Sequence, residues 1–381
     1  MKINIKTIKY SQEFKPEFIS TLRKKITEYF QVSRISKYGN MNMMLKTVFM
    51  LSLLMIPYFL MISGVFSSLA VFLLLWAIMG LGMAGIGLSI MHDANHGSYS
   101  KHRRLNRLLG YTLNLMGGNS SLWKIQHNHL HHAYTNIQGV DEDIDVPVFL
   151  RLSPHAKKYM IQRFQHMYFW FFYSLSTLTW VTFKNTLQIF RYRKTGLLTG
   201  KRVLVKELIQ EIAWKSFYYG YVLILPMLLL PVSPWIILAA FAIMHFITGL
   251  GLGLIFQTAH VMPTSQYPLP DLNGNMNNNW AIHQLLTTSN FSPESRIFSW
   301  LIGGLNYQIE HHLFPNICHI HYKNISKIVR KTAADFGIPY YVQPSFATAI
   351  QNHVRMLQYL GNFSENQNIV DYIQPIKTKA S

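Results

Sequence analysis

The histidines of this chain gather at three places with spacings that suit metal binding: His92-Asp93-Ala94-Asn95-His96, His127-Asn128-His129-Leu130-His131-His132 and Gln308-Ile309-Glu310-His311-His312. A neutral imidazole is a common transition-metal ligand, and clusters without cysteine argue against structural zinc or iron–sulfur sites. The chemistry they suggest is that of oxygen and iron. His92 and His96 are four residues apart, so a helix would present both rings on one face, about 6 Å apart along its axis. His127, His131 and His132 would present three nitrogens from a turn and a half, whereas His129 would point elsewhere. Asp93 and Asn95 could orient the first rings. In the third group Gln308 lies one turn before His311 and His312, Glu310 lies beside them, and the preceding Gly303-Gly304 pair permits close backbone approach.

These groups must be held by long apolar elements. The chain is 50% hydrophobic and only 13% charged, against about 25% charged for a soluble domain. It reads as a membrane protein. No Asp, Glu, Lys or Arg occurs from Thr47 to His92, nor from Ser216 to Pro270. Each stretch could hold two spans, since a helix needs about 20 apolar residues to cross roughly 30 Å of hydrocarbon. The first hairpin is expected to rise over Thr47–Met61, turn at Ser63-Gly64 and Ser67-Ser68, and return over Leu69–His92. The second is expected to rise over Phe217–Leu230, turn at Pro231–Pro234, and return over Trp235–Gln257.

The segment joining the hairpins is rich in Lys and Arg, among them Arg103, Arg104, Arg107, Arg191 and Arg193, while the two turns have none. The positive-inside rule places that segment, both termini and all three histidine groups on the cytoplasmic side. The expected fold is an all-α membrane protein: four transmembrane helices in two hairpins, and a mostly helical cytoplasmic cap holding a histidine-rich dimetal site. The whole chain, 1–381, reads as one domain: an N-terminal segment (1–46), hairpins at 47–92 and 216–258, and cap segments at 93–215 and 259–381. Helical spacing marks Leu105–Leu115, Met160–Phe183 and Ile325–Phe336 in the cap. The aromatic run Met167–Tyr173 reads as a helix at the membrane interface instead of a further crossing.

The net charge of +19 does not require nucleic acid, because the basic residues sit beside spans, where topology and anionic headgroups explain them. One cysteine, Cys318, rules out an internal disulfide and leaves the compartment open. The N-terminus lacks a secretory apolar core, so the first span is the expected insertion signal. His245 falls in mid-span, where an ionisable group is a functional candidate, and is expected to be neutral and hydrogen-bonded. His102, His155, His166, His319, His321 and His353 are expected at the surface, as are Glu142 and Asp143.

Gly303-Gly-Leu-Asn-Tyr-Gln-Ile-Glu-His-His-Leu-Phe-Pro315 resembles the third histidine box of front-end fatty acid desaturases, in which Gln replaces the first His of the commoner pattern. Trp123-Lys-Ile-Gln-His-Asn-His-Leu-His-His-Ala-Tyr-Thr-Asn136, followed by Asp141-Glu-Asp-Ile-Asp145, resembles the second box of bacterial-type linoleoyl-CoA desaturases, with His92 to His96 as the first. The resemblance runs from about Met91 to Tyr341.

That resemblance implies two iron ions ligated by His92, His96, His127, His131, His132, His311 and His312, with a further ligand, His260, near the end of the fourth span. His283 and Gln284, in Trp280–Phe291, match a family segment and are expected to line substrate or join a hydrogen-bond network. Asp93, Glu142, Asp143, Asp145 and Glu310 are candidates to offset the metal charge. The implied reaction inserts a cis double bond into a fatty acyl chain on CoA or a lipid, consuming O2 and two electrons. A fused cytochrome b5 domain, found in many family members, has no matching His-Pro-Gly-Gly motif here, so an external ferredoxin or cytochrome b5 with a reductase is expected. Some of the excess basic charge could dock such a donor or an anionic head group. An apolar tunnel in the cap is expected to take the acyl chain. Two other classes stay open: a histidine-box hydroxylase or alkane-type monooxygenase, and a metal transporter, which would need ligands at the midplane.

Overall fold

Hydrocarbon-length apolar runs dictate four long helices, and the computed structural model, which describes residues 7–146 and 148–363, contains them: Met41–Ile62, Leu69–His96, Lys201–Leu229 and Pro234–His260. The expectations for the first six residues and for the chain beyond Phe363 lie outside the described residues. Asn40 starts the first span by accepting from the backbone N–H groups of Asn42 (3.0 Å) and Met43 (3.4 Å). Ser68 starts the second span the same way through Val71 N–H, 3.3 Å away. Pro234 opens the fourth from its first turn.

All four spans are longer than expected, the first beginning at Met41 instead of Thr47. The third begins at Lys201, not near Phe217, because charge ends a hydrocarbon segment but does not end a helix. Its early turns lie in the cap, where Glu211 is buried between Lys215 (2.7 Å) and the Asn119 carboxamide (3.1 Å). The second span likewise runs on past the apolar stretch to His96, through one π-helical turn at Ile86–Ile90, and stops at Gly97 in the left-handed region (φ 74°). The fourth continues to His260.

The spans approach one another through small residues. A Cβ on Gly80 would stand 2.6 Å from the Met244 carbonyl oxygen, and one on Gly82 would stand 2.7 Å from Leu54 N. The second helix is therefore wedged backbone-close between the first and fourth. Trp76, Met79, Phe241 and Met244 fill the core around these contacts.

The cap is mostly helical, as the spacing indicated, with two small additions. Lys9–Tyr10 pairs in parallel with Asn275–Met276, and Asn290–Phe291 with Val342–Gln343. These two-residue bridges are too short to leave a periodic signal. The polar N-terminal segment is also part of the cap, because its helix Glu17–Ser33 buries Phe18, Leu22 and Ile26 against Ile325 and Val329 of helix Tyr322–Asp335. The aromatic run falls in helix Gln165–Ser174, with Phe169 and Tyr173 buried toward the C-terminal helix Phe346–Asn362 and Met167 and Trp170 exposed.

Gly80→Leu would force large atoms into the backbone of the fourth span, whereas a Cβ on Gly251 meets only Ala84 Cβ at an ordinary 3.6 Å. The expected outcome is a loss of about 1–3 kcal/mol for Gly80→Leu and near-native stability for Gly251→Ala. Thermal unfolding midpoints of the two variants in detergent check this.

Candidate metal centre

Each histidine group reaches the centre on a different kind of element. His92 and His96 ride the extension of the second span. His127 and His131 lie on a π-helical segment, Lys124–His131, and His132 opens the following turn. The wider π-turn brings residues five apart into register, so that His127 Nε2 and His132 Nε2 are 3.2 Å apart. His260 is the last residue of the fourth span. His311 and His312 sit on a short helix, Gln308–Leu313. The loop before it fits only because Gly303 (φ 65°) lies against the second span: a Cβ there would be 2.3 Å from the Leu88 carbonyl oxygen. Removing one methyl group thus allows the third group to seat beside the first.

The rings converge in two sets. Ligand atoms of His92, His96, His127 and His311 lie within 4.8 Å of one another, and so do those of His131, His260 and His312. His132 stands between the sets, its ring centroid 4.5 Å from His311, 4.4 Å from His312 and 4.7 Å from His127. Around this centre the Nε2 atoms of His92, His96, His131, His260, His311 and His312 are buried without a hydrogen-bond partner. Buried polar atoms are rarely left unpaired. A cluster of such nitrogens fits the binding of transition metal.

The outward nitrogens are tied to fixed groups. His131 Nδ1 meets Asp141 at 3.1 Å and Asp143 at 3.3 Å. His312 Nδ1 meets Gln284 Oε1 at 2.8 Å, His260 Nδ1 the Thr287 carbonyl at 3.3 Å, and His311 Nδ1 the Tyr322 hydroxyl at 3.3 Å. Such bonds set both the tautomer and the ring direction. Asn136 closes the arrangement: its side chain donates to the His260 carbonyl (3.0 Å), and its N–H donates to Asp141 (2.9 Å).

Electrostatics keep most of these rings neutral. Burial, and then the neighbouring imidazoles, hold His127, His132, His311 and His312 well below the ordinary histidine range. His131 differs. Burial opposes its charge, but Asp141 and Asp143 outweigh that and push it up to about 9. That corner of the centre therefore favours positive charge.

The remaining candidates separate by what they touch. Asp93 lies 3.6 Å from His92 Nδ1 but binds His319 Nδ1 more closely, at 2.8 Å. Asp93, Cys318 and His319 also have ligand-like spacing, yet Lys46 Nζ already lies 2.6 Å from His319 Nε2 and supplies the cation there. The Asn95 backbone carbonyl accepts from Asn128, 3.2 Å away, and its side-chain amide faces Met91. His283 donates to the Thr135 carbonyl (2.8 Å) and stays outside the centre. Glu310 turns away to Asn290 (2.8 Å) and Tyr340 (2.9 Å), and burial pushes its carboxyl up to about 8. The Gln308 carboxamide is fully buried and interacts with the His260 ring, with no other hydrogen-bond partner among the described residues.

Several surface expectations are corrected. His319, His321 and His353 are buried, and His353 joins Tyr173 (2.9 Å) to the Val261 carbonyl (2.9 Å). Glu142 is buried against Gln188 (2.9 Å), and Asp143 is partly buried against Gln126 (2.6 Å). Local sequence shows none of this, because the covering residues are far away in the chain. His129, His102 and His155 are exposed. Asp141, Thr135 and Asn136 were not singled out from sequence, although they sit in the stretch just after the second histidine group.

Comparison with known proteins agrees with this centre. Residues 67–344 match the model of the family described as fatty acid desaturase. The chain is 33% identical to the sn-1 linoleoyl-lipid 6-desaturase of Synechocystis, over 94% of this chain and 98% of that protein. It is 34% identical to the acyl-lipid (8-3)-desaturase of Physcomitrium patens, over 93% of this chain and 74% of that protein. A probable Delta(5) fatty acid desaturase C of Dictyostelium discoideum is 29% identical, over 93% of this chain and 78% of that protein.

Asp141→Asn keeps the shape of the side chain but removes the charge facing His131. Loss of such an outer partner typically costs 10–100-fold in metal affinity or activity, and a fall of about that size is expected in metal retention during dialysis. Asp145→Asn, at a side chain 38% exposed and paired with Arg191, is expected to retain metal like the parent protein.

Proposed function

We propose a reaction for this chain from one premise: it belongs to the fatty acid desaturase family. It is an oxidoreductase that desaturates fatty acyl chains, of the front-end type. In our reading it adds a cis double bond between an existing one and the carboxyl end, on an acyl chain carried by a lipid. The lipid carrier is inferred from the printed activities of the relatives. The observation that carries the proposal is the inward set of unpartnered buried nitrogens.

His92, His96, His127, His131, His132, His260, His311 and His312 would hold two irons, and Gln308 stands where a further neutral donor would complete the His131, His260 and His312 set. An alkyl C–H bond offers no acidity to a general base, so its hydrogens must leave as atoms; irons at this site would supply that power with O2 and two external electrons. The protein's own part is to fix the rings through Asp141, Gln284, Thr287 and Tyr322, and to keep water out with the apolar wall of Met91, Leu113 and Trp123. We place the centre and the basic connecting segment on the cytoplasmic side, supported by the Lys and Arg distribution.

The acyl chain needs an apolar path. Trp123 stacks on His127 with centroids 4.4 Å apart and packs with Met91 and Leu113. Beyond them lies an apolar cavity of about 30 Å³, reaching between the spans and lined by Met83, Gly87, Leu113, Met116, Trp180 and Leu252. At that size it has room for the terminal methyl of an acyl chain and no more, and we assign that methyl to it. His245 borders it with its ring held by Tyr218 (2.7 Å) and Thr177 (3.2 Å), a satisfied polar group and not a midplane metal ligand.

Expression in a desaturase-deficient host with a donor system and linoleate is expected to give a new cis bond on the carboxyl side of the existing ones. His311→Ala is expected to give none. Hydroxylated fatty acids as the main product would overturn the desaturation reading in favour of the monooxygenase. At Gly87 an added Cβ would stand 3.3 Å from Leu252 Cδ2, so Gly87→Val narrows the cavity. Its product profile is expected to shift toward shorter acyl chains, and an unchanged profile would remove the cavity from the chain path.

A further inference from the structure

A broad groove of about 720 Å³ lies between the N-terminal helix and the chain that leaves the third histidine group. Its floor is Leu313–Ile317, directly after His312, together with the indole of Trp280. That indole is half-buried, and its Nε1 donates to the His132 carbonyl oxygen at 3.0 Å. One side chain therefore spans from an open surface to the histidine standing between the two ring sets. Arg23 and Lys37 lie on the rim, and no Asp or Glu is among the lining residues. The groove shares no residue with the apolar cavity on the Trp123 side.

We propose that this groove docks an acidic one-electron iron protein and that Trp280 is the entry point for its electrons. The proposal rests on the desaturase reading, which needs an external donor. The balanced reaction takes one O2, two electrons and two protons, and with the two hydrogens of the alkyl chain yields the alkene and two waters. Each docking delivers one electron from a reduced donor, which leaves oxidised, so two dockings serve one turnover.

Three features favour this occupant over an acyl lipid. The rim is cationic, matching an acidic partner. The groove is wide and open, lined by apolar and aromatic residues such as Phe30 and Phe314 with basic residues at the edge, the anatomy of a protein contact. Its floor contacts the centre through a bonded indole, which offers a short covalent and hydrogen-bonded route for an electron but no passage for a chain.

The test uses the full chain in nanodiscs with a plant-type [2Fe–2S] ferredoxin and, in parallel, the haem domain of cytochrome b5. Binding is measured by surface plasmon resonance across ionic strength, and donor oxidation by stopped flow. Arg23→Glu with Lys37→Glu is expected to weaken binding of the productive donor by roughly tenfold or more and to flatten its salt dependence. Iron content and single-turnover desaturation with dithionite as reductant are expected to stay at parent levels. Trp280→Phe is expected to keep the Kd and to slow donor oxidation at saturating donor. Unchanged donor affinity and salt dependence in the double variant would overturn the proposal. So would a raised KM for acyl substrate with donor binding intact, which would make the groove a substrate mouth. Failure of the parent protein in the dithionite assay would count against the desaturase reading instead, and the binding data would stand apart from it.

Discussion

The structure depends on keeping a crowd of imidazoles neutral, buried and pointed at one another. An unpaired polar atom in a dry interior costs about 1–3 kcal/mol, and this chain collects at least six such nitrogens in one place. Except at His131, where Asp141 and Asp143 favour it, protonation offers no relief, because each added charge would meet its neighbours 4.4–5.8 Å away, centroid to centroid. Only a shared cation satisfies the lone pairs together. The fold must hold the rings in that costly geometry beforehand, which explains why so much of the cap consists of hydrogen bonds to their outer nitrogens.

Rigid placement begins in the membrane. The second span sits backbone-close to both the first and the fourth through Gly80 and Gly82, and its extension presents His92 and His96. The fourth span ends on His260, and Asn136 pins that end to the second histidine segment. Gly303 then lets the third group lie on the backbone of the second span. A chain of close contacts thus links elements over two hundred residues apart, and a shift in one span would move a ligand in the centre.

Local spacing revealed the features set by local spacing. The paired His92 and His96, the double His131-His132 and the Gly303-Gly304 approach all follow from short-range geometry and stand where that geometry puts them. The start of the third span lies well before its apolar run because a helix can outlast that run when Glu211 finds Lys215 and Asn119. The burial of His319, His321, His353 and Glu142 was missed for a related reason: a polar side chain shows its partner only after the chain has folded. The acidic run Asp141–Asp145 marks candidates to offset metal charge, but spacing alone does not tell which carboxylate meets a ring; it is Asp141, the first of them, that lies 3.1 Å from His131 Nδ1.

Charge distribution in the centre follows the same logic. Neutral imidazoles would leave the charge of bound metal uncompensated, and the buried carboxylates nearby are unevenly placed. Asp141 and Asp143 both face His131, in the three-ring set. Asp93 faces the four-ring set, but its closer partner is His319, which in turn meets Lys46. Much of the Asp93 charge is thereby spent on Lys46, so the four-ring set has more imidazole donors and less negative charge behind them. The three-ring set has fewer donors, more carboxylate and the Gln308 amide beside His260. Metals held in the two sets would feel different fields, one set by ligand number and the other by outer charge. Such inequality would make the two sets differ in the charge they hold, while Asp141 stays fixed by the bonds that orient His131.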